Sequence, residues 1–213
     1  MDDEQNMDKE IIYIGDPMCS WCWGFAPVAE RLREHFDGSA EFKLILGGLR
    51  PADRAEPLDD KLKSVIKPHW EHVEKLTKQP FNFDFFDREG FIFNTEPPSR
   101  AVVVVRRLAP HAAFPFFRSL EQAFYTENLD ITQVENYAPL LQEHGIEEGP
   151  FMNLFDTKDL HAETSADFAM AHRMGAQGFP TVALRRGERM GLLTVGYQSY
   201  ERLLPVIEEY FAA

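Results

Sequence analysis

The sequence has few cysteines: only Cys19 and Cys22 occur among 213 residues. This scarcity excludes a fold held together by a network of disulfides. A bond between these two residues would close so short a loop that it would stabilise the fold little. In a reducing compartment, two cysteines at this spacing are more typical of a catalytic or metal-binding pair than of a structural crosslink.

Basic residues are also scarce, with 22 lysines and arginines against 35 aspartates and glutamates, for a formal net charge of -13. Binding to nucleic-acid phosphates needs a basic face, so this balance argues against a nucleic-acid partner. The sequence begins with Met1-Asp2-Asp3-Glu4, which lacks the basic and then apolar pattern of a secretory signal. No apolar run approaches the roughly 20 residues that cross a membrane. We therefore expect a cytoplasmic protein with no membrane segment.

Both cysteines lie in the stretch from Asp16 to Trp23, between an apolar run at 11–15 and a helical pattern at 25–36. A Cys-x-x-Cys at a strand-to-helix junction is typical of thioredoxin-like redox motifs. On the first helical turn, this spacing brings the two sulfurs within disulfide reach. The unpaired N–H groups and the dipole of that turn favour the thiolate of the first cysteine. The pattern therefore predicts a reactive Cys19.

The two ends of the chain show strands, whereas the middle shows helical periodicity. The sequence predicts a parallel β-α-β unit at the start, with strands at 11–15 and 41–46, and a β-β-α unit at the end. Five middle segments predict helices: 58–78, 101–108, 113–126, 132–144 and 150–155. We predict a discontinuous domain, residues 9–54 and 159–213, interrupted by an all-helical insertion at 55–158. The overall class is α/β.

Three finer expectations concern this insertion. The run Val102–Val105 suits a strand by propensity, but the neighbouring helical patterns favour a helix. Ser99 is a candidate N-cap for that helix. The helix over 58–78 carries one apolar stripe, which comprises Leu62, Val65, Ile66, Trp70, Val73 and Leu76.

Two motifs resemble the DsbA family of thiol-disulfide oxidoreductases: Asp16-Pro17-x-Cys19-Ser20-Trp21-Cys22-Trp23-Gly24 and Gly178-Phe179-Pro180-Thr181. The resemblance covers nearly the whole chain and implies a thioredoxin fold with a large helical insertion. Because no export signal is visible, the chain is most similar to the cytoplasmic, FrnE-like branch of that family.

The resemblance also implies a mechanism. Cys19 would be the exposed nucleophile that forms a mixed disulfide with protein or peptide thiols, and the more buried Cys22 would resolve it. Trp21, Phe179 and Pro180 would contact the substrate, with a cis bond between the last two residues. No cofactor is implied beyond the redox-active cysteine pair, although glutathione could serve as a co-substrate.

The chain departs from the family at two places. Many thioredoxin-fold enzymes carry a buried carboxylate six residues before the first cysteine, where this chain has Tyr13. Asp16 is the nearest acid, but it occupies a different position, so the proton acceptor for Cys22 is left open. The pair between the cysteines is Ser20-Trp21, which leaves the direction of electron flow open.

Several alternatives remain at this stage. The two cysteines could be inert core thiols or half of a metal site, but the two histidines His69 and His72 are better explained as a helix face, and we predict no metal. A glutathione-dependent transferase or isomerase of the kappa-class or hydroxychromene carboxylate isomerase type would share this topology. Those relatives usually have serine in place of Cys19 and a Ser-Asp pair where this chain has Ser199-Tyr200.

A non-catalytic binding protein or chaperone is another alternative, in which aromatic side chains of the insertion would line a groove. Packing against the thioredoxin core is the more ordinary explanation for these residues, which are Phe81, Phe83, Phe85, Phe86, Phe91 and Phe93.

Overall fold

The structure, a computed structural model, describes residues 8–213. The acidic lead-in predicted for residues 1–9 lies mostly outside the described residues. In the described part, the strands are β1 (Lys9–Gly15), β2 (Glu41–Leu46), β3 (Glu56–Pro57), β4 (Ile92–Phe93), β5 (Thr181–Arg186) and β6 (Arg189–Val195). The α-helices are α1 (Ser20–His35), α2 (Asp60–Thr77), α3 (Glu96–Leu108), α4 (Ala113–Tyr125), α5 (Ala138–Glu143), α6 (Glu148–Phe155), α7 (Lys158–Arg173) and α8 (Tyr200–Ala212).

The central sheet has four strands in the order β2-β1-β5-β6. β1 and β2 are parallel, as predicted for two strands joined by a crossover helix. β5 runs antiparallel to β1 and pairs with β6 as a hairpin. This β-α-β and β-β-α arrangement confirms the predicted thioredoxin fold. Ile11 to Gly15 are all buried, as expected for an inner strand covered on both faces.

The valine run of α3 shows packing overriding strand propensity. Val102, Val103, Val104 and Val105 are all fully buried, and α3 packs against α4, α6 and α7. A helix that is apolar all round is stable when it is surrounded on all sides. The predicted helix is confirmed, but it begins at Glu96 with Thr95 at its N-cap. The prediction that Ser99 caps it is wrong, because Pro97 and Pro98 fit the first helical turn.

The structure corrects three other predictions for the middle of the chain. The segment 55–158 is not all-helical, because β3 and β4 pair as a short antiparallel ribbon. The helix predicted over 132–144 is reduced to α5, preceded by a turn of 3-10 helix. On α2, Val65 and Leu76 are 48% and 52% exposed, so the inward stripe is narrower than predicted.

The aromatic side chains of the insertion pack mainly around Trp70 of α2. The centroid of its ring lies 4.9 Å from the ring centroids of both Phe85 and Phe86, 5.0 Å from that of Tyr125 and 5.1 Å from that of Phe81. Phe85, Phe86, Phe91 and Phe93 are buried. Their burial supports the expectation that these side chains pack in the core, and it argues against an open groove lined by all six phenylalanines of residues 81–93.

One continuous cluster of buried side chains includes residues from both segments of the predicted discontinuous domain and from the predicted insertion. The division into 9–54 with 159–213, and 55–158, stays a prediction. None of the helices from residue 8 onward combines the length and apolar composition needed to span a bilayer.

Candidate active site

The Cys-x-x-Cys motif begins α1. Cys19 is the N-cap residue, in an extended conformation with φ -93° and ψ 112°. Its carbonyl oxygen accepts hydrogen bonds from the N–H groups of Cys22 and Trp23, at 2.9 and 3.1 Å. The N-terminal end of a 16-residue helix therefore points at the Cys19 side chain, where its partial positive charge stabilises an anion.

Asp16 fixes the loop that leads into the motif. One carboxylate oxygen accepts a hydrogen bond from the Met18 N–H at 2.9 Å, and the other from the Leu49 N–H at 2.7 Å. Burial raises the pKa of Asp16 to about 6, while these N–H donors limit the rise. The side chain thus joins the loop after β1 to the loop after β2.

Cys19 lines a cleft of about 230 Å³. Its residue exposure is only 6%, so the prediction of an exposed nucleophile is corrected: the sulfur is reached through a cleft and not from an open surface. The other walls come from the start of α1, α2, the loop after β2, β4 and the loop before β5. The lining residues include Trp21, Arg50, His69, Trp70 and Phe179.

The structure brings the second predicted motif next to the first across 160 residues of sequence. The Cys19 thiol donates a hydrogen bond to the Phe179 carbonyl oxygen at 3.5 Å. The Phe179-Pro180 bond is cis, as the resemblance implied. Phe179 lines the cleft, whereas Pro180 is buried and is absent from the lining residues. Direct substrate contact by Pro180 stays a prediction.

The two tryptophans of the motif have different surroundings. Trp21 is half-buried, with its ring 5.4 Å from His72 and 6.2 Å from Tyr197. Trp23 is buried, and its indole N–H donates to the Pro80 carbonyl oxygen at 3.0 Å. Trp21 is therefore the one that lines the cleft, and Trp23 belongs to the core as predicted.

Cys22 lies in the first turn of α1 and is fully buried. The two sulfurs are not joined by a disulfide in this structure. Burial, followed by the nearby Cys19 side chain, raises the pKa of Cys22 well above its usual range. Cys22 is therefore a thiol at neutral pH, and its proton must leave before it can act as a nucleophile.

The position that carries an acid in many thioredoxin-fold enzymes is occupied by the buried Tyr13. The structure buries an acid that the sequence analysis missed, Glu121, on α4, which packs against α1. After burial and the Cys19 side chain, its charge contributes to the raised pKa of Cys22. The available signal was a glutamate on the apolar face of a helix, four residues after Phe117 and three before Phe124. A charged residue on such a face is almost never fully buried unless it is paired.

Among residues 8–213, no three histidine, cysteine, aspartate or glutamate side chains come together in a way that could hold a metal ion. His69 and His72 are both exposed on α2.

Gly47 allows the ring of Phe179 to approach the end of β2. A Cβ at this position would lie 2.2 Å from two atoms of that ring. We expect Gly47→Ala to displace Phe179, to lower the free energy of unfolding by about 1–3 kcal/mol and to slow the reaction of Cys19 with disulfides. Urea unfolding and the rate of mixed-disulfide formation would measure both effects.

Gly178→Ala provides the matched control, because a Cβ there would meet no atom within 4 Å. It should change the free energy of unfolding by no more than about 0.5 kcal/mol. Equal effects of the two substitutions would contradict the role assigned to the contact between Gly47 and Phe179.

Comparisons with known proteins agree with this geometry. A protein from Nitrosomonas europaea, described as a candidate protein disulfide isomerase, is 35% identical and superposes with a TM-score of 0.89 over 96% of this chain and 98% of its own. The cytosolic disulfide reductase DsbM of Pseudomonas aeruginosa is 28% identical, with a TM-score of 0.75 over 95% of each chain. DsbM has also been solved with glutathione, and that structure is similar to this one with a TM-score of 0.73.

Among curated proteins, the ClpXP adapter protein SpxH of Halalkalibacterium halodurans is 20% identical over 97% of this chain and 70% of its own length. The model of the DSBA-like thioredoxin domain matches residues 10–208, which is nearly the whole chain. The protein therefore belongs to the DSBA-like thioredoxin domain family, whose members include thiol-disulfide oxidoreductases.

Proposed function

We propose that this protein catalyses thiol–disulfide exchange with protein or peptide substrates, with Cys19 as the nucleophile and Cys22 as the resolving thiol. The observation that carries the proposal is the placement of the two sulfurs. Cys19 lies at a helix N-terminus and lines a cleft, whereas Cys22 is fully buried and does not line it. A substrate sulfur can reach only the first of them.

In the reducing direction, the Cys19 thiolate attacks one sulfur of a substrate disulfide. A mixed disulfide forms, and the other substrate sulfur leaves as a thiolate that takes up a proton. Cys22 then loses its proton and attacks the Cys19 sulfur. The second substrate thiol leaves, and two electrons have passed from the dithiol to the substrate while a Cys19–Cys22 disulfide has formed. The reverse sequence oxidises a dithiol substrate.

Glutathione is the co-substrate that we propose for returning the Cys19–Cys22 disulfide to the dithiol, two molecules being oxidised in each cycle. The structure of the related DsbM with glutathione supports this assignment, as do the cationic Arg50 and the imidazole of His69 in the cleft wall. The cytosolic assignment of DsbM supports a cytoplasmic location.

The experiment is to trap the mixed disulfide. Cys22→Ser, incubated with oxidised glutathione, should gain one glutathionyl group at Cys19, because the step that would release it has been removed. Intact mass and peptide mapping would detect the adduct. The matched control is the Cys19→Ser variant, which should gain none under the same conditions.

Absence of any adduct on Cys22→Ser would contradict the proposed function. If Cys19→Ser instead bound reduced glutathione and isomerised a small substrate, the glutathione-dependent isomerase alternative would replace it.

A further inference from the structure

Five buried side-chain polar atoms have no hydrogen-bond partner among the described residues, and three of them lie on residues grouped around Cys22: the Tyr13 hydroxyl, the Tyr125 hydroxyl and the Oε1 atom of Glu121. Glu121 lies one helical turn after Phe117, whose ring centroid is 5.9 Å from that of Tyr13, and one turn before Tyr125, whose ring stacks on Trp23 with the centroids 6.0 Å apart. This stretch of α4 therefore faces β1 and the start of α1, where Cys22 lies. Burial first, and then nearby charges that include Cys22 and Glu121, raise the pKa of each tyrosine well above its usual range. Because buried polar atoms are paired in the large majority of cases, such a group beside a reactive thiol calls for an explanation. The unpartnered atoms belong to three different positions on two elements, β1 and α4.

One carboxylate oxygen of Glu121 is paired, and the other has no hydrogen-bond partner among the described residues. Its Oε2 atom pairs with the Arg118 guanidinium one turn earlier on α4. Arg118 in turn donates through Nε to Glu30 of α1 at 2.9 Å, and Glu30 is partly exposed. The side chain of Glu121 is completely buried, so a line of charged groups leads from the surface inward and ends at this carboxyl.

The pKa of Glu121 is suited to a group that exchanges a proton. Removing a carboxylate from water favours its neutral form, and burial raises the pKa of Glu121 to about 8, with Arg118 acting in the opposite direction. A pKa near the working pH allows a group both to accept and to release a proton. The titratable and charged groups that act on this site are Arg118 and Tyr125 from α4, Glu30 and Cys22 from α1, Cys19 at the N-cap of α1, Tyr13 from β1, and Asp16 from the loop after β1.

Asp16 is a weaker candidate for the same task. Both of its carboxylate oxygens already accept backbone hydrogen bonds, from Met18 and Leu49. Its function is explained by the loops that it joins, whereas one oxygen of Glu121 has no such partner.

We propose that Glu121 accepts the proton of Cys22 when Cys22 attacks the mixed disulfide, and that it returns this proton in the reverse reaction. The inference rests on the proposed exchange through Cys19 and Cys22. In the resolving step the carboxylate becomes a carboxylic acid, the Cys22 sulfur forms a bond to Cys19, and the substrate sulfur leaves with the electron pair of the broken bond. The hydroxyls of Tyr13 and Tyr125 provide the polar surroundings for this transfer.

The experiment follows the two steps separately with 5,5′-dithiobis(2-nitrobenzoate). Attack by Cys19 releases one thionitrobenzoate, and resolution by Cys22 releases the second, so stopped-flow absorbance gives a rate constant for each. In Glu121→Gln, we expect the first rate constant to stay close to that of the wild type and the second to fall by about two orders of magnitude at neutral pH.

The pH profile distinguishes proton acceptance from a structural effect. In the wild type, the second rate constant should rise as Glu121 ionises and level off above about pH 8. In Glu121→Gln it should continue to rise, because only hydroxide and buffer remain as bases. Glu121→Asp should recover part of the lost rate and the levelling.

Glu163→Gln is the matched control, since it also removes a carboxylate that pairs with an arginine, Arg107. Both rate constants should remain unchanged in this variant. If Glu121→Gln does not fold, the infrared difference spectrum between the dithiol and disulfide forms of the wild type tests the same point. The carbonyl stretch of a buried protonated carboxyl should change between the two forms, and this change should disappear in a Cys19→Ser, Cys22→Ser protein.

An unchanged second rate constant with an unchanged pH profile in Glu121→Gln, or an infrared spectrum without that band, would overturn the inference. Failure of the wild type to release the first thionitrobenzoate would instead refute the proposed function.

Discussion

Cys19→Ser is expected to lower the rate of disulfide exchange by at least about a thousandfold, the scale of loss seen when a covalent nucleophile is removed. A serine hydroxyl has nearly the same shape, but the thiolate is the nucleophile in this chemistry and a hydroxyl is not ionised at neutral pH. Cys22 cannot replace it, because it is fully buried and its pKa is raised by burial. Reduction of a fluorogenic peptide disulfide in the presence of glutathione would measure the loss.

Cys22→Ser is the matched control for this prediction. It should lose the intramolecular resolving step, so that the mixed disulfide accumulates when no other thiol is present, but it should retain the first attack at close to the wild-type rate, because the cleft and Cys19 are unchanged. A Cys19→Ser protein with more than about a tenth of the wild-type turnover would contradict the assigned roles. Urea unfolding should show that both variants keep their fold, so that lost activity is not lost structure.

Trp70→Ala is expected to lower the free energy of unfolding by about 3–5 kcal/mol, the range for removing a large buried aromatic side chain. Trp70 is 2% exposed, and its ring stacks on Phe85 at 4.9 Å and lies 5.0 Å from Tyr125. Alanine would leave a cavity between α2, α4 and the short 3-10 helix Phe83–Asp87, which carries Phe85 and Phe86. Trp70 also lines the same cleft as Cys19, so the reaction of Cys19 should slow as well.

Val65→Ala, on the same helix, serves as the control for Trp70→Ala. Val65 is about half exposed, so its truncation should change the free energy of unfolding by no more than about 0.5 kcal/mol. Urea denaturation of both variants would test the difference. Similar losses in the two proteins would show that the aromatic cluster contributes little beyond the stability of α2 itself.

Much of the fold could be predicted because it depends on local patterns. The order of strands and helices at both ends followed from short apolar runs and helical spacing, and the parallel pairing of β1 and β2 followed from their crossover helix. The errors lie where local signals are weak or ambiguous. The two-residue strands β3 and β4 are too short to show alternation, and the exposure of Val65 and Leu76 depends on which neighbours reach that side of α2.

The two cysteines of the candidate site could be predicted from the sequence, whereas the cleft around Cys19 could not. The Cys-x-x-Cys spacing and its position before α1 indicated Cys19 and Cys22 without any tertiary information. The narrow access to Cys19 was not predictable, because the walls of the cleft come from α2 and from the loop carrying Phe179. The sequence pattern of α2 does not specify where that helix lies relative to α1, and the Phe179 motif was placed near the cysteines only through the family resemblance.

The sequence by itself therefore determined the Cys-x-x-Cys pair at the start of α1, the thioredoxin order of elements and, through its family resemblance, the approach of the Phe179-Pro180 motif. Only the tertiary structure decided what surrounds Cys22. Tyr13 stands where a carboxylate was expected, and Glu121, more than a hundred residues later in the chain, faces the same interior. The physical reason is that burial and the proximity of charges set the ionisation of these groups, and both arise only when distant segments pack together.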